Sequence, residues 1–236
     1  MAITYMQHVK KFTFACTVWS FSCIIFPSDS SVYLQEESLM EPQRSLKQYR
    51  IIDLSLMGVM LLVFETIIIL ASIRWFPGEP YTVSLTPAIV AIVLVRWGPW
   101  AGIHAVLGAL ILCIESHASA MQYVIYCIGN LFSLLGVFLI RKMGGDKGIR
   151  SEALHTLAYG LAILVLMQFG RAMVALIGGS SIAVAAGFFT TEVITDLFTL
   201  VILWIVRHLD GILEEQQHYL KRIREEEQDT RNGGML

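Results

Sequence analysis

The sequence predicts an all-α, polytopic membrane protein: a six-transmembrane-helix bundle with cytoplasmic termini and a C-terminal amphipathic helix. Three observations carry that prediction. The 236 residues are 56% hydrophobic and only 15% charged, with a mean hydropathy of +0.64. Soluble globular domains are about 45–50% apolar and about 25% charged. The apolar residues also fall in blocks of roughly 17–25 residues, long enough to cross ~30 Å of hydrocarbon at about 1.5 Å per residue. Finally, the basic residues gather on alternate sides of those blocks. Six spans of about 20 residues use half the chain, which leaves no room for a sizeable soluble domain. A disordered chain, a secreted disulfide scaffold and a nucleic-acid-binding domain are excluded on the same ground, and the net charge of −2 says nothing about partners.

Residues 1–39 form an N-terminal extension outside the core fold. Lys10-Lys11 followed by FTFACTVWSFSCIIF resembles a signal peptide or a short apolar anchor, but no small-x-small cleavage site follows Phe26. Met40, directly before the polar stretch EPQRSLKQYR, is the alternative start. The membrane domain is then 40–206. Its first span is 51–73, closed by the turn RWFPGEP. A shorter block, 84–95, stops at Arg96-Trp97-Gly98-Pro99-Trp100 and reads as a tilted or partly re-entrant second span. The third span is 100–114 and the fourth 123–140, closed by Arg141-Lys142. The fifth is 153–177 and ends at Gly178-Gly179-Ser180-Ser181, and the sixth is 182–206. None of these blocks alternates with the period of two that a β-barrel strand needs. In the charged tail, 207–236, Leu209, Ile212, Leu213, Tyr219, Leu220 and Ile223 recur near helical spacing, so an amphipathic helix is expected to continue from the sixth span.

Charge sets the orientation. With residues 41–50 in the cytoplasm, the inner segments hold Arg44, Lys47, Arg50, Arg96, Arg141, Lys142, Lys147, Arg150 and the basic residues after Val206, while the outer loops hold only Arg74. This is the positive-inside pattern, and it places the chain in the cell membrane with both termini cytoplasmic. Trp75, Tyr81, Trp97, Trp100 and Tyr123 fall at span ends, where aromatic belts form.

An ionisable group in hydrocarbon costs about 2.5–3.5 kcal/mol on insertion scales, so each is a functional candidate. Glu65 lies in the first span, Asn130 in the outer half of the fourth, and Gln168 and Arg171 in the outer third of the fifth. In the sixth, Glu192, Thr195, Asp196 and Thr199 recur at i, i+3, i+4 and i+7 and share one helix face. Two readings of this set stand: a polar pocket in the outer half of the bundle, or hydrogen-bonded glue between helices. Cys16, Cys23, Cys113 and Cys127 have no metal-site spacing and read as packing residues; no metal and no cofactor is implied. The chain is not expected to be an enzyme: it carries no P-loop, no His-Glu-x-x-His, and no G-x-S-G turn, since 178–181 read Gly-Gly-Ser-Ser.

The run SLTPAIVAIVLVRWGPWAGIHAVLGALI, with six short spans and a loop after the first, resembles the substrate-binding S component of an energy-coupling factor (ECF) transporter. The resemblance covers residues 50–206 and is one of layout and texture. It implies a subunit that captures a vitamin-like small molecule from outside, lies in membrane lipid, and delivers its ligand inward with a coupling membrane subunit and two cytoplasmic ATPases. In that reading Arg171 engages an anionic or carbonyl group of the ligand, and Glu65, Asn130, Gln168, Glu192 and Asp196 complete the pocket. The loop 74–83, with Trp75, Phe76 and Tyr81, acts as an aromatic lid. Ser55-Leu56-Met57-Gly58 is a partial match to the family's small-residue docking stripe, which makes Ser55 and Gly58 the candidate docking residues. Two rivals remain: a structural membrane protein of cell-envelope assembly, and a secondary transporter coupled to protons through Glu65, Glu192 or Asp196.

Overall fold

The computed structural model describes residues 46–76, 83–209 and 211–233. The chain divides into residues 1–43 and 44–236, and the fold described is that of the second unit. The N-terminal extension, and Tyr81 within the expected lid, lie outside the described residues. All the regular structure among the described residues is helical. Four apolar helical stretches are long enough to cross a membrane: Leu46–Trp75, Thr86–Glu115, Ala120–Lys142 and Ala153–Ile177. They become five if Ile182–Thr191 and Val193–Val206, bent by 40° at their junction, count as one.

Helix α1 is Leu46–Trp75. It is apolar around most of its circumference, and its buried residues, Leu61, Glu65 and Ile69, repeat every fourth position. That spacing is one face of a helix, so α1 lays a single stripe on the bundle. Ile51, Leu56, Val59, Leu62, Ile67 and Leu70 remain exposed, as a lipid-facing helix requires.

Helix α2, Thr86–Trp97, begins with Pro in its first turn, where the missing N–H costs no helical bond. All twelve of its residues are buried, and it packs against α1, the helices α3, α5, α7 and α9 defined below, and both short 3₁₀ turns. The stretch Thr86–Glu115 therefore does not run straight. Gly98 takes φ +60°, followed by a 3₁₀ turn Gly98–Trp100, and helix α3, Ala101–Glu115, returns alongside α2. A Cβ on Gly108 would collide with the Thr86 hydroxyl, so the start of α2 lies against the middle of α3. Only a residue without a side chain allows that approach.

The expected fourth span lies within one helical stretch, Ala120–Lys142, that tightens to a 3₁₀ segment in its middle. Helix α4, Ala120–Asn130, is opened by a capping box between Ser119 and Gln122, passes into a 3₁₀ turn Leu131–Leu135, and resumes as α5, Gly136–Lys142. Ser133 donates to the Asn130 carbonyl at 2.6 Å within that turn. A short α6, Gly145–Ser151, leads into α7, Ala153–Ile177, whose bounds match the expected fifth span. The expected sixth span is two helices, α8 (Ile182–Thr191) and α9 (Val193–Val206), parted at Glu192.

The tail departs from expectation as well. It does not continue α9. Residues 207–209 and 211–214 form turns and bends, Gly211 takes φ +72°, and helix α10 begins at Gln216 and ends at Gly233. The cause is tertiary: Arg96 donates to the carbonyls of Gly211 (2.6 Å) and Ile212 (3.2 Å), and Leu213 is fully buried in the core. The starts of α1, α3 and α7 and the ends of α2, α5 and α9 share one end of the bundle, which also holds most of the basic residues; we call it the basic end. The opposite end carries Ser84, Ser119 and Ser180.

Candidate functional site

Helices α4 and α7 meet through glycines. A Cβ on Gly129 would lie 2.7 Å from the Arg171 Cα, and one on Gly170 would strike the Gly129 carbonyl. This contact seats Arg171 deep between the helices, 2% exposed. Its Nε donates to Asn130 Oδ1 at 2.7 Å, and its Nη1 is ion-paired with Glu192. Its guanidinium carbon sits 4.8 Å from the centroid of the Tyr126 ring. Asn130 in turn donates to the Ala105 carbonyl of α3 at 3.1 Å. Glu192 faces Arg171 from the break between α8 and α9, so the bend and the ion pair occur at one residue. A charge at this depth is tolerable only with a partner and satisfied hydrogen bonds, and Arg171 has both.

Two further groups add to the polar interior. Gln168, one turn before Arg171, donates to both carboxylate oxygens of Asp196 at 2.9 Å. Glu65, fully buried on α1, accepts from Ser84 Oγ (2.5 Å), Leu85 N (2.6 Å) and Thr86 Oγ1 (3.1 Å). These donors lie at the start of α2 and in the two residues before it, where Ser84 Oγ also accepts from Thr86 N at 3.1 Å, so a carboxylate on a neighbouring helix reinforces the helix start. Ser84 N donates to Thr195 of α9 at 3.1 Å, which ties α1, α2 and α9 together.

Asn130, Arg171 and Glu192 thus form one network, Gln168 and Asp196 a second, and Glu65 a third. The polar face of the sixth span does point inward, with Thr195 and Thr199 fully buried. Trp75 is not part of this set: it is 73% exposed at the end of α1. Ser55 is exposed, while Gly58 turns toward His104 and Leu107 of α3. Among the described residues no group of three or more His, Cys, Asp or Glu is placed to hold a metal ion.

Beside the Arg171 network a cleft of about 500 Å³ opens at the end opposite the basic one, between α4 and α8. Met121, Ile125, Tyr126 and Phe188 supply its apolar lining, and Gln122 and Thr191 are among its polar groups. Tyr126 and Phe188 pack edge to face with centroids 5.9 Å apart. Tyr126 is therefore common to the cleft and the network, since the same ring carries the Arg171 guanidinium. The sequence did carry one signal for it: Tyr126 lies four residues before Asn130, on the same helix face.

The basic end holds a cluster that sequence reasoning left unassigned. Asp53 accepts from Arg96 Nε (2.9 Å) and Nη2 (2.7 Å) in a fork, and from the Trp97 indole at 2.5 Å. Arg96 is 8% exposed and also holds the 211–212 carbonyls, so one guanidinium ties α1, α2 and the segment before α10. The signal was present as two opposite charges at span ends expected on the same side. No family model, curated protein or solved structure matches the chain.

Proposed function

We propose that this chain is the substrate-capture subunit of a membrane importer of the ECF type, binding a vitamin-like small molecule at the outer end of a six-pass bundle. In this reading α2 and α3 are two separate short passes, the broken pair α8–α9 is the sixth, and the basic end faces the cytoplasm together with both termini. The observation that carries the reading is the 500 Å³ cleft resting on a buried charged network through Tyr126. Ligand sites are concave, mostly apolar and fitted with a few convergent polar groups, and this cleft has that composition. Arg171 and Glu192 then act beneath the cleft, fixing Tyr126 and presenting charge to a polar edge of the ligand. The sequence carries no nucleotide-binding motif, so ATP hydrolysis falls to partner subunits, namely a coupling membrane protein with two ATPases.

The test is purification from native membranes, with mass spectrometry of retained small molecules and of co-purifying proteins. A retained small molecule, lost in Tyr126→Ala at an unchanged elution volume, supports the reading, as does recovery of a membrane protein with two ATPases. Recovery of envelope-assembly proteins, with nothing retained by the wild type, overturns it in favour of a structural role.

A further inference from the structure

A second cavity, of about 380 Å³, lies at the basic end among α6, the residues that follow α9, and α10. We infer that it is a binding site for a phosphate-bearing anion, and that its occupant braces α10 against the membrane domain.

Three elements contribute its cations: Lys147 and Arg150 from α6, Arg207 beyond α9, and Arg222 from α10. His208 adds an imidazole. Two carboxylates line the cavity, and both are engaged. Glu214, 5% exposed, accepts from Arg150 at 3.0 Å and Arg222 at 3.1 Å. Asp146 accepts the backbone N–H of Glu215 at 3.1 Å. Four cationic side chains face the two lining carboxylates, and Arg222 also pairs with Glu226 at 3.9 Å, which leaves one positive charge in excess around the concavity. Lys147 and the half-buried Arg207 make no ion pair among the described residues. Like charges brought together from three separate elements repel one another, and a shared anion relieves that repulsion. Guanidinium and ammonium donors converging on one space match the tetrahedral oxygens of a phosphate group. Trp204, one turn before His208 with rings 5.4 Å apart, is exposed beside the cavity, as an aromatic side chain at a membrane–water interface would be. A lipid headgroup and a soluble phosphate ester share the chemistry this cavity recognises, and basic residues at that level attract anionic lipid.

The full chain, purified in neutral detergent, decides the matter in two arms. Native mass spectrometry compares retention of dioleoylphosphatidylglycerol with dioleoylphosphatidylcholine, and thermal melting is followed against inorganic phosphate at constant ionic strength. The expected result is preferential retention of phosphatidylglycerol, falling by about tenfold in K147Q/R207Q. Lipid retention without a response to phosphate identifies a headgroup site. A phosphate-dependent rise in Tm without lipid preference identifies a site for a soluble ester. Absence of both effects in the wild type overturns the inference, and so does equal binding by the double variant. If the double variant is poorly folded, K147Q alone, an exposed position, must lower retention. Failure here leaves the importer reading untouched, since the two cavities share no residue.

Discussion

Helices α1 and α2 draw on the same apolar residue types and occupy opposite surroundings. Every residue of α2 is buried, whereas α1 buries only Leu61, Glu65 and Ile69 along thirty residues. At about 1.5 Å per residue α2 is some 18 Å long, well under the length of α1, and it lies enclosed by other helices. Helix α1 has length to spare and turns most of its surface outward. Hydropathy does not separate the two cases, because lipid tails and a packed protein interior are both apolar. What separates them is close approach and polar partnership. Gly108 of α3 lets the start of α2 come in, and Glu65 of α1 caps it.

The sharpest way to break that contrast is to deny α2 its place. Gly108→Val drives side-chain atoms into Thr86 and should abolish the monodisperse folded species in size-exclusion chromatography. Gly187→Val, where nothing lies within 4 Å, should leave it intact. Next in size is the cap. Glu65→Ala strands the Ser84 and Thr86 hydroxyls and the Leu85 N–H inside the bundle, for a loss of about 3 kcal/mol in denaturant titrations. Glu65→Gln keeps an acceptor and should recover part of it. Smallest is the comparison of like with like. Ile92→Ala on α2 opens a cavity and should cost about 2 kcal/mol. Ile67→Ala on α1, where the side chain is 56% exposed, should cost less than about 0.5 kcal/mol. Equal losses at the two positions would show that α1 has a protein neighbour on its outer face.

The candidate site was half legible. Asn130, Gln168, Arg171, Glu192 and Asp196 stood out because a polar group among apolar ones is conspicuous at any depth, and the Arg171–Glu192 pairing follows from opposite charges in successive spans. Tyr126 and Phe188 did not stand out, since an aromatic residue in an apolar helix is ordinary and its role depends on which helix lies opposite. Asp53 did not stand out because a charge at a span end is cheap, and Arg96 counted only toward orientation. Their forked hydrogen bonds become visible only once the ends of α1 and α2 are side by side. The tail misled for a related reason: helical spacing persists in the sequence through residues 209–213, but Arg96 and the core hold Gly211, Ile212 and Leu213 out of a helix.

By itself, the sequence determined the all-helical character, the location of the apolar helices and the polar groups that had to find partners. Those properties are sums of local transfer free energies, and each residue carries its own share into any apolar medium. The reversal at Gly98, the enclosure of α2, the bend at Glu192 and the two cavities were decided by the tertiary structure. They depend on which backbones can approach and which charges then meet, and no residue holds that information without its neighbour across the bundle.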